Sequence, residues 1–384
     1  MIFVVHIIQD FFYQLKGRFF KSKNSDYKFA FLVHSRGYSD IYRKYPFARY
    51  FPKFFVLFLM KHLWPITLSK VTGVIAYEKG HPVHGYVLGI TMTADQMFHN
   101  RPYALKKIRQ AAYLAKGKGV KIIGLGGLTS SLSKGGLDLL DIGIHVTTGH
   151  AYTAYNVCET VWKISAALDI PEEKLNVAVV GAAGSVGSTS SLLLARRKYA
   201  SITLIDLKRK HAVFDELVKK MKEMNPDLEI KISDTVEDIK GCDLVVTATN
   251  TAEALITPSL VEPGMVIVDD AQPSDIHPDV LKMEDVLVLE AGVVHTPNIN
   301  SNFNYGLKNR TDNFCCMAEV LILASYGWDK HYVINRATLE HVDEISGMGK
   351  KLGFTVASFQ NFLESITHDK IERVKAVARQ KHDL

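Results

Sequence analysis

Val177-Ala178-Val179-Val180-Gly181-Ala182-Ala183-Gly184-Ser185-Val186-Gly187 is the stretch on which the fold turns. The apolar run reads as a short buried strand, and the glycines after it open a helix over 185–198. Glycines there permit a tight bend, close approach of backbone to a pyrophosphate and close helix–strand packing. The first helical N–H groups lack intrahelical partners and face the phosphates. Gly181, Ala182, Ala183, Gly184, Ser185, Val186 and Gly187 are therefore the expected cradle of a dinucleotide.

The next strand ends in Asp206, nineteen residues past Gly187. An acid there accepts hydrogen bonds from an adenosine ribose and favours NAD(H). Leu207, Lys208, Arg209 and Lys210 follow at once. This basic run suits a 2′-phosphate and hence NADP(H), or is a solvated loop. Thr247, Ala248 and Thr249 end a later strand, where such folds bring a loop past the nicotinamide.

Outward from this core, strands at 202–205, 244–247, 265–268 and 286–289 alternate with helices at 185–198 and 211–224, the pattern of a doubly wound parallel sheet. Upstream, 71–77 and 86–91 read as strands around a Gly80/Pro82 turn. A helix over 102–118, a buried strand over 120–124, a glycine-rich turn and a helix over 151–168 follow. Helices at 311–326 and 337–352 come last, and the final polar residues are expected to fray. The expectation is an α/β chain in three parts. An N-terminal α/β substrate or acyl-binding domain spans 1–150, a Rossmann domain 151–305, and a C-terminal helical segment 306–384.

The chain has 384 residues and a net charge of +6. Its 47% hydrophobic and 22% charged residues exclude a disordered or collagenous class. The charge is split: 21 basic and 7 acidic groups in 1–150, against 17 and 26 in 151–330. A basic first part suggests an acidic partner. No recognised nucleic-acid motif accompanies that charge, so no nucleic acid is expected. Four cysteines without C-x-x-C or zinc-ligand spacing point to a reducing cytoplasm and to no metal. The apolar start is broken by His6, Asp10 and Gln14, and 54–60 is far shorter than the ~20 residues of a membrane span. Phe11, Phe12, Phe19, Phe20, Phe54, Phe55, Phe58 and Trp64 lie among Lys16, Arg18, Lys21, Lys23, Lys53 and Lys61. That mixture suits the surface of an anionic bilayer. It suits equally a helix with its apolar face on the core and lysines reaching outward.

Cys315 and Cys316 open an apolar helix in Asn313-Phe314-Cys315-Cys316-Met317-Ala318-Glu319. A thiol at a helix N-terminus is a better nucleophile, because unpaired N–H groups favour the thiolate. By residue type alone, an inert buried cysteine is the commoner reading. This helix joins a set of motifs: Leu125-Gly126-Gly127-Leu128-Thr129-Ser130, Thr147-Thr148-Gly149, Thr153-Ala154-Tyr155, the 181–187 loop with Ser188, and Gly292-Val293-Val294. Over roughly 70–355 the sequence resembles the long-chain acyl-acyl-carrier-protein reductases, which make fatty aldehydes from acyl thioesters with NADPH. The resemblance implies Cys316 as the nucleophile, two residues before the Ala-Glu pair. It further implies an acyl thioester as substrate and acyl-carrier protein as partner, docking on basic residues such as Arg43, Lys44, Lys106 and Lys107. His150 and Tyr152 stand where the cyanobacterial proteins carry Asn and His, and Asp206 where they carry a neutral residue, which leaves NADH open beside NADPH.

Thr129, Ser130, Thr147 and Thr148 are the hydroxyls nearest by motif for an oxyanion. Thr147-Thr148-Gly149 could equally be a helix cap. His150 could supply a proton or cap the helix, and His295 is a weaker candidate of the same kind. Two rivals stand beside this reading. One is a shikimate-dehydrogenase-like oxidoreductase of a small hydroxy or amino acid, and the other a non-catalytic nucleotide-sensing Rossmann module.

Overall fold

The computed structural model describes residues 2–20, 26–251 and 253–384. Lys21 and Lys23 fall outside the described residues. The chain divides into two compact units. The first holds Met1–Tyr152, Val294–Arg336 and Asp343–Thr355, and the second Thr153–Val293, Ala337–Val342 and Val356–Leu384.

Strand Lys28–Ser35 lies at the centre of the first unit's five-stranded sheet, in the order Ile66–Val71, His84–Thr93, Lys28–Ser35, Ile122–Leu125, His145–Thr147. Only the Ile66–Val71 edge pairs antiparallel. Phe29, Ala30, Phe31 and Leu32 are buried on both faces, as a central parallel strand requires. Sequence reading misses this strand, because its aromatics merge with the basic, aromatic segment after it. It also places the edge strand Ile66–Val71 too late, at 71–77: pairing ends at Val71, since the chain turns at Gly73 with φ +86°. Helix Arg101–Gly117 buries Ala104, Ile108, Ala111, Ala112 and Ala115 on this sheet, one face at helical spacing.

All six strands of the second unit are parallel, in the order Leu287–Glu290, Val266–Asp269, Leu244–Thr247, Asn176–Val180, Ser201–Ile205, Glu229–Ser233. The order reverses between Asn176–Val180 and Leu244–Thr247, the topological switch point where such folds bind ligands. Thus the expected α/β class with a Rossmann sheet is the observed one. Glu229–Ser233 escapes sequence reading as a half-exposed polar edge. The C-terminus does not fray: His368–Lys381 is a helix that buries Val374 and Ala378, four residues apart on one face. No described helix is long and apolar enough to cross a membrane.

Candidate active site

Helix Cys315–Ser325 follows directly on strand Asp312–Phe314, which sets Cys315 and Cys316 in its first turn. Cys315 is buried, whereas Cys316 is partly exposed. Of the pair, only Cys316 is open to solvent.

Against Cys316 lies Gly149, which has φ +80°. A Cβ on Gly149 would stand 2.4 Å from both the Cα and the Cβ of Cys316. The contact requires glycine twice, for its backbone conformation and for the space. Glu319, one turn after Cys316, holds this loop from below. Its fully buried carboxylate accepts the Gly149 N–H at 2.9 Å, the Tyr152 N–H at 2.9 Å and the Thr147 hydroxyl. It thereby caps helix His150–Leu168 from another helix. Burial pushes the Glu319 carboxyl up, and the donors around it oppose that rise.

Of the remaining candidates, Ser130 and His150 come together. Ser130 Oγ lies 3.1 Å from His150 Nε2. Burial lowers His150 to about 4, so its ring is neutral near neutral pH. Thr148 donates its backbone N–H to Val333, while its buried hydroxyl has no partner. Thr129 is engaged locally, its hydroxyl donating to the Gly126 carbonyl at 2.9 Å. His295 sits instead beside Asp312, 3.2 Å from its carboxylate.

Two residues of this neighbourhood have no motif to reveal them. His34 Nε2 accepts the Leu128 N–H at 3.2 Å while its Nδ1 lies 3.1 Å from the Ser35 carbonyl. The pair of contacts places the proton on Nδ1 and clamps the glycine turn that carries Ser130. Tyr305 is buried with its hydroxyl 3.2 Å from Met317 Sδ. Burial, and secondly the neighbouring Cys316, push its phenol up. Both residues come from distant sequence, and only folding signals them.

In the second unit, strand Asn176–Val180 runs through the 181–187 loop into helix Ser185–Ala195, the strand–turn–helix order that the glycine pattern predicts. Gly181 has φ +84°, and a Cβ there would stand 2.6 Å from the Ala248 carbonyl oxygen. The 181–187 loop and the 247–249 loop therefore meet at the switch point. Ser185 opens helix Ser185–Ala195 with a buried hydroxyl that lacks a partner. A cradle open to backbone and an orphaned hydroxyl at a helix N-terminus fit a dinucleotide pyrophosphate.

Two details depart from the simplest picture. Asp206 is nearly buried, accepts the Ala183 N–H at 3.0 Å and pairs with Lys210 at 3.1 Å. Leu207, Lys208 and Arg209 beside it are exposed. The hydroxyls of Thr247 and Thr249 are bonded at 2.6 Å to Asp269 and Asp275 respectively. Burial pushes those carboxyls up to about 6 and about 7.

Lys107 corrects a sequence expectation. It is buried, its amine donating to the Leu63 carbonyl, and burial lowers it to about 8. Lys44 donates to the Leu68 carbonyl at 2.8 Å and Arg43 pairs with Asp40 at 2.8 Å. Of the four proposed docking cations, Lys106 is the exposed one whose charge is not bound in such a contact.

Comparison with known proteins supports the oxidoreductase class. Residues 166–291 match the shikimate / quinate 5-dehydrogenase family model. The chain is 27% identical over 308 residues to the aminotransferase PigE of a Serratia species, covering 78% of this chain and 36% of that protein. It thus spans about a third of that relative's length. Identity is 25% over 306 residues to the long-chain acyl-[acyl-carrier-protein] reductase of Synechococcus elongatus, covering 75% of this chain and 85% of that protein. Among solved structures, quinate dehydrogenase of Corynebacterium glutamicum with NAD aligns over 64% of this chain and 80% of its own, with 12% identity and a TM-score of 0.30. The second unit therefore has the parallel Rossmann fold of NAD(P)-binding dehydrogenases, to which residues 166–291 are similar.

Proposed function

We propose that the chain reduces a long-chain fatty acyl thioester, carried by acyl-carrier protein or CoA, to the aldehyde through an acyl-enzyme on Cys316. The observation that carries this reading is the packing of Gly149 on Cys316 under the control of Glu319. It leaves one partly exposed thiol at a helix N-terminus, packed on the loop residue that precedes His150, whose ring lies 3.1 Å from the Ser130 hydroxyl. The Cys316 thiolate attacks the thioester carbonyl, and the carrier thiolate leaves with a proton. A reduced nicotinamide dinucleotide, when bound, would supply the hydride that reduces the enzyme thioester. Thr148 and Ser130 donate to the resulting oxyanion, and collapse of the hemithioacetal releases aldehyde and the Cys316 thiolate. His150, through Ser130, relays the proton. The 181–187 loop would hold the pyrophosphate, and Thr247, Ala248 and Thr249 would hold the nicotinamide end. NADPH is the proposed reductant, with Lys208 and Arg209 on its 2′-phosphate, because Asp206 is already engaged with Ala183 and Lys210. NADH is the alternative that Asp206 would serve.

Labelled acyl-carrier protein or acyl-CoA, mixed with the protein without cofactor, should leave a covalent acyl adduct that Cys316→Ala lacks. An adduct persisting in that variant refutes the assignment, and loss confined to Cys315→Ala moves it by one residue. The match of residues 166–291 favours a second reading, a shikimate-dehydrogenase-like oxidoreductase of a small hydroxy acid. That reading requires no adduct and hydroxy-acid oxidation that survives Cys316→Ala.

A further inference from the structure

Helix Ile2–Phe19 is turned inside out. It packs on helix Arg101–Gly117 through Gly17, whose Cα lies too close to the Tyr113 carbonyl to admit a Cβ. Asp10, also on the buried side, pairs with Lys118 at 2.8 Å and accepts the Thr67 N–H at 2.6 Å. Gln14 is buried on the same face. Val5, Ile8, Phe12 and Phe19, spaced to share the opposite face, point to solvent, with Phe12 63% and Phe19 68% exposed. A helix held for its contribution to a core would show the reverse pattern.

The neighbouring segment repeats the inversion. Helix Lys53–His62 buries Val56 alone, and Phe54 is 75% and Phe58 59% exposed. Tyr50, just before it, is 89% exposed. Trp64 joins the two elements, its indole N–H donating to the Ile7 carbonyl at 2.7 Å and its ring lying 4.9 Å from that of Phe11. Exposed cations rim these aromatics at Lys16, Arg18, Arg49 and Lys53. Asp10 is the one acid in 2–20, there is none in 46–64, and Asp10 is buried and paired.

We propose that this aromatic and cationic face of the first unit seats the protein on the surface of an anionic lipid bilayer. Rings enter the interface beside the headgroups while lysine and arginine meet lipid phosphates. A second copy is the poorer occupant, because a two-fold contact would set this predominantly cationic patch against itself. The inference does not depend on the acyl-reductase reading.

The test is co-sedimentation of the full chain with vesicles of phosphatidylcholine alone, or containing about one-third phosphatidylglycerol. Binding to the anionic vesicles, weakened by salt, is expected. Phe54→Ser/Phe58→Ser should weaken it roughly tenfold or more, and Lys53→Glu roughly fivefold or more. Both variants change exposed positions, so an unaltered melting temperature controls for folding. Cys316→Ala should bind vesicles as the wild type does, which separates this result from the fate of the proposed reaction. Absence of binding, or equal binding to neutral vesicles, overturns the proposal. So does a concentration-dependent dimer that Phe54→Ser/Phe58→Ser abolishes, which would assign the face to a second copy.

Discussion

Gly149→Ala tests the centre of the site. The left-handed backbone at φ +80° costs a residue with a Cβ about 1–2 kcal/mol. The new methyl would also stand 2.4 Å from the Cα and Cβ of Cys316 and 3.0 Å from its carbonyl oxygen. No rotamer change relieves a clash with those atoms, so the loop or the cysteine helix must shift. Overpacking of that kind adds about 1–3 kcal/mol, giving about 2–5 kcal/mol in all. Gly143→Ala is the matched control. It has φ +77°, but its Cβ would meet nothing nearer than the Lys116 amine at 3.5 Å, an ordinary contact, so it carries the backbone cost alone. Urea unfolding followed by tryptophan emission reads the first unit well, because Trp64 and Trp328 both lie in it. The rate of alkylation at Cys316 supplies a second readout. If Gly149→Ala is no more destabilising than Gly143→Ala, and Cys316 is alkylated at the wild-type rate, the packing argument is wrong.

Glu319→Gln must turn an NH2 group toward backbone N–H donors on one side of the side chain. The unmet donor should cost about 1–3 kcal/mol of stability and slow acyl transfer more than it changes cofactor affinity, read by adduct kinetics and fluorescence titration. His150 supplies a pH test with a definite sign. Burial holds it to about 4 in the folded chain, so as pH falls the unfolded chain, near ~6.5, takes the proton first. Stability is therefore lost between roughly pH 6.5 and 4, by at most about 3 kcal/mol. His150→Gln should remove that component from the pH dependence of melting; an unchanged profile would contradict it. Asp206→Asn loses the charge pairing with Lys210, freeing that lysine for a 2′-phosphate. The ratio of NADPH to NADH affinity should rise, and a fall would show that Asp206 itself selects the cofactor.

Where side chains speak through local pattern, the sequence is a good guide. The apolar run 177–180 with its glycines marks the cradle, because strand burial and turn geometry act within a few residues. Helix Arg101–Gly117 shows its spacing plainly for the same reason. Lys28–Ser35, by contrast, is illegible until its neighbours in the sheet are known, since pairing partners rather than composition make it central. Lys107 looks like any surface lysine, and only the carbonyl of Leu63 above it makes it a buried one.

The sequence by itself determined the second unit's parallel sheet, its glycine cradle and the basic bias of the first part. These follow from periodicity, backbone freedom and charge, which are properties of short segments. Tertiary structure alone decided that Cys316 rather than Cys315 reaches the surface. It also decided that Glu319 pins Gly149 against Cys316, and that helix Ile2–Phe19 turns its phenylalanines outward. Each depends on which segments meet in space, and burial and hydrogen-bond satisfaction are settled only when they do.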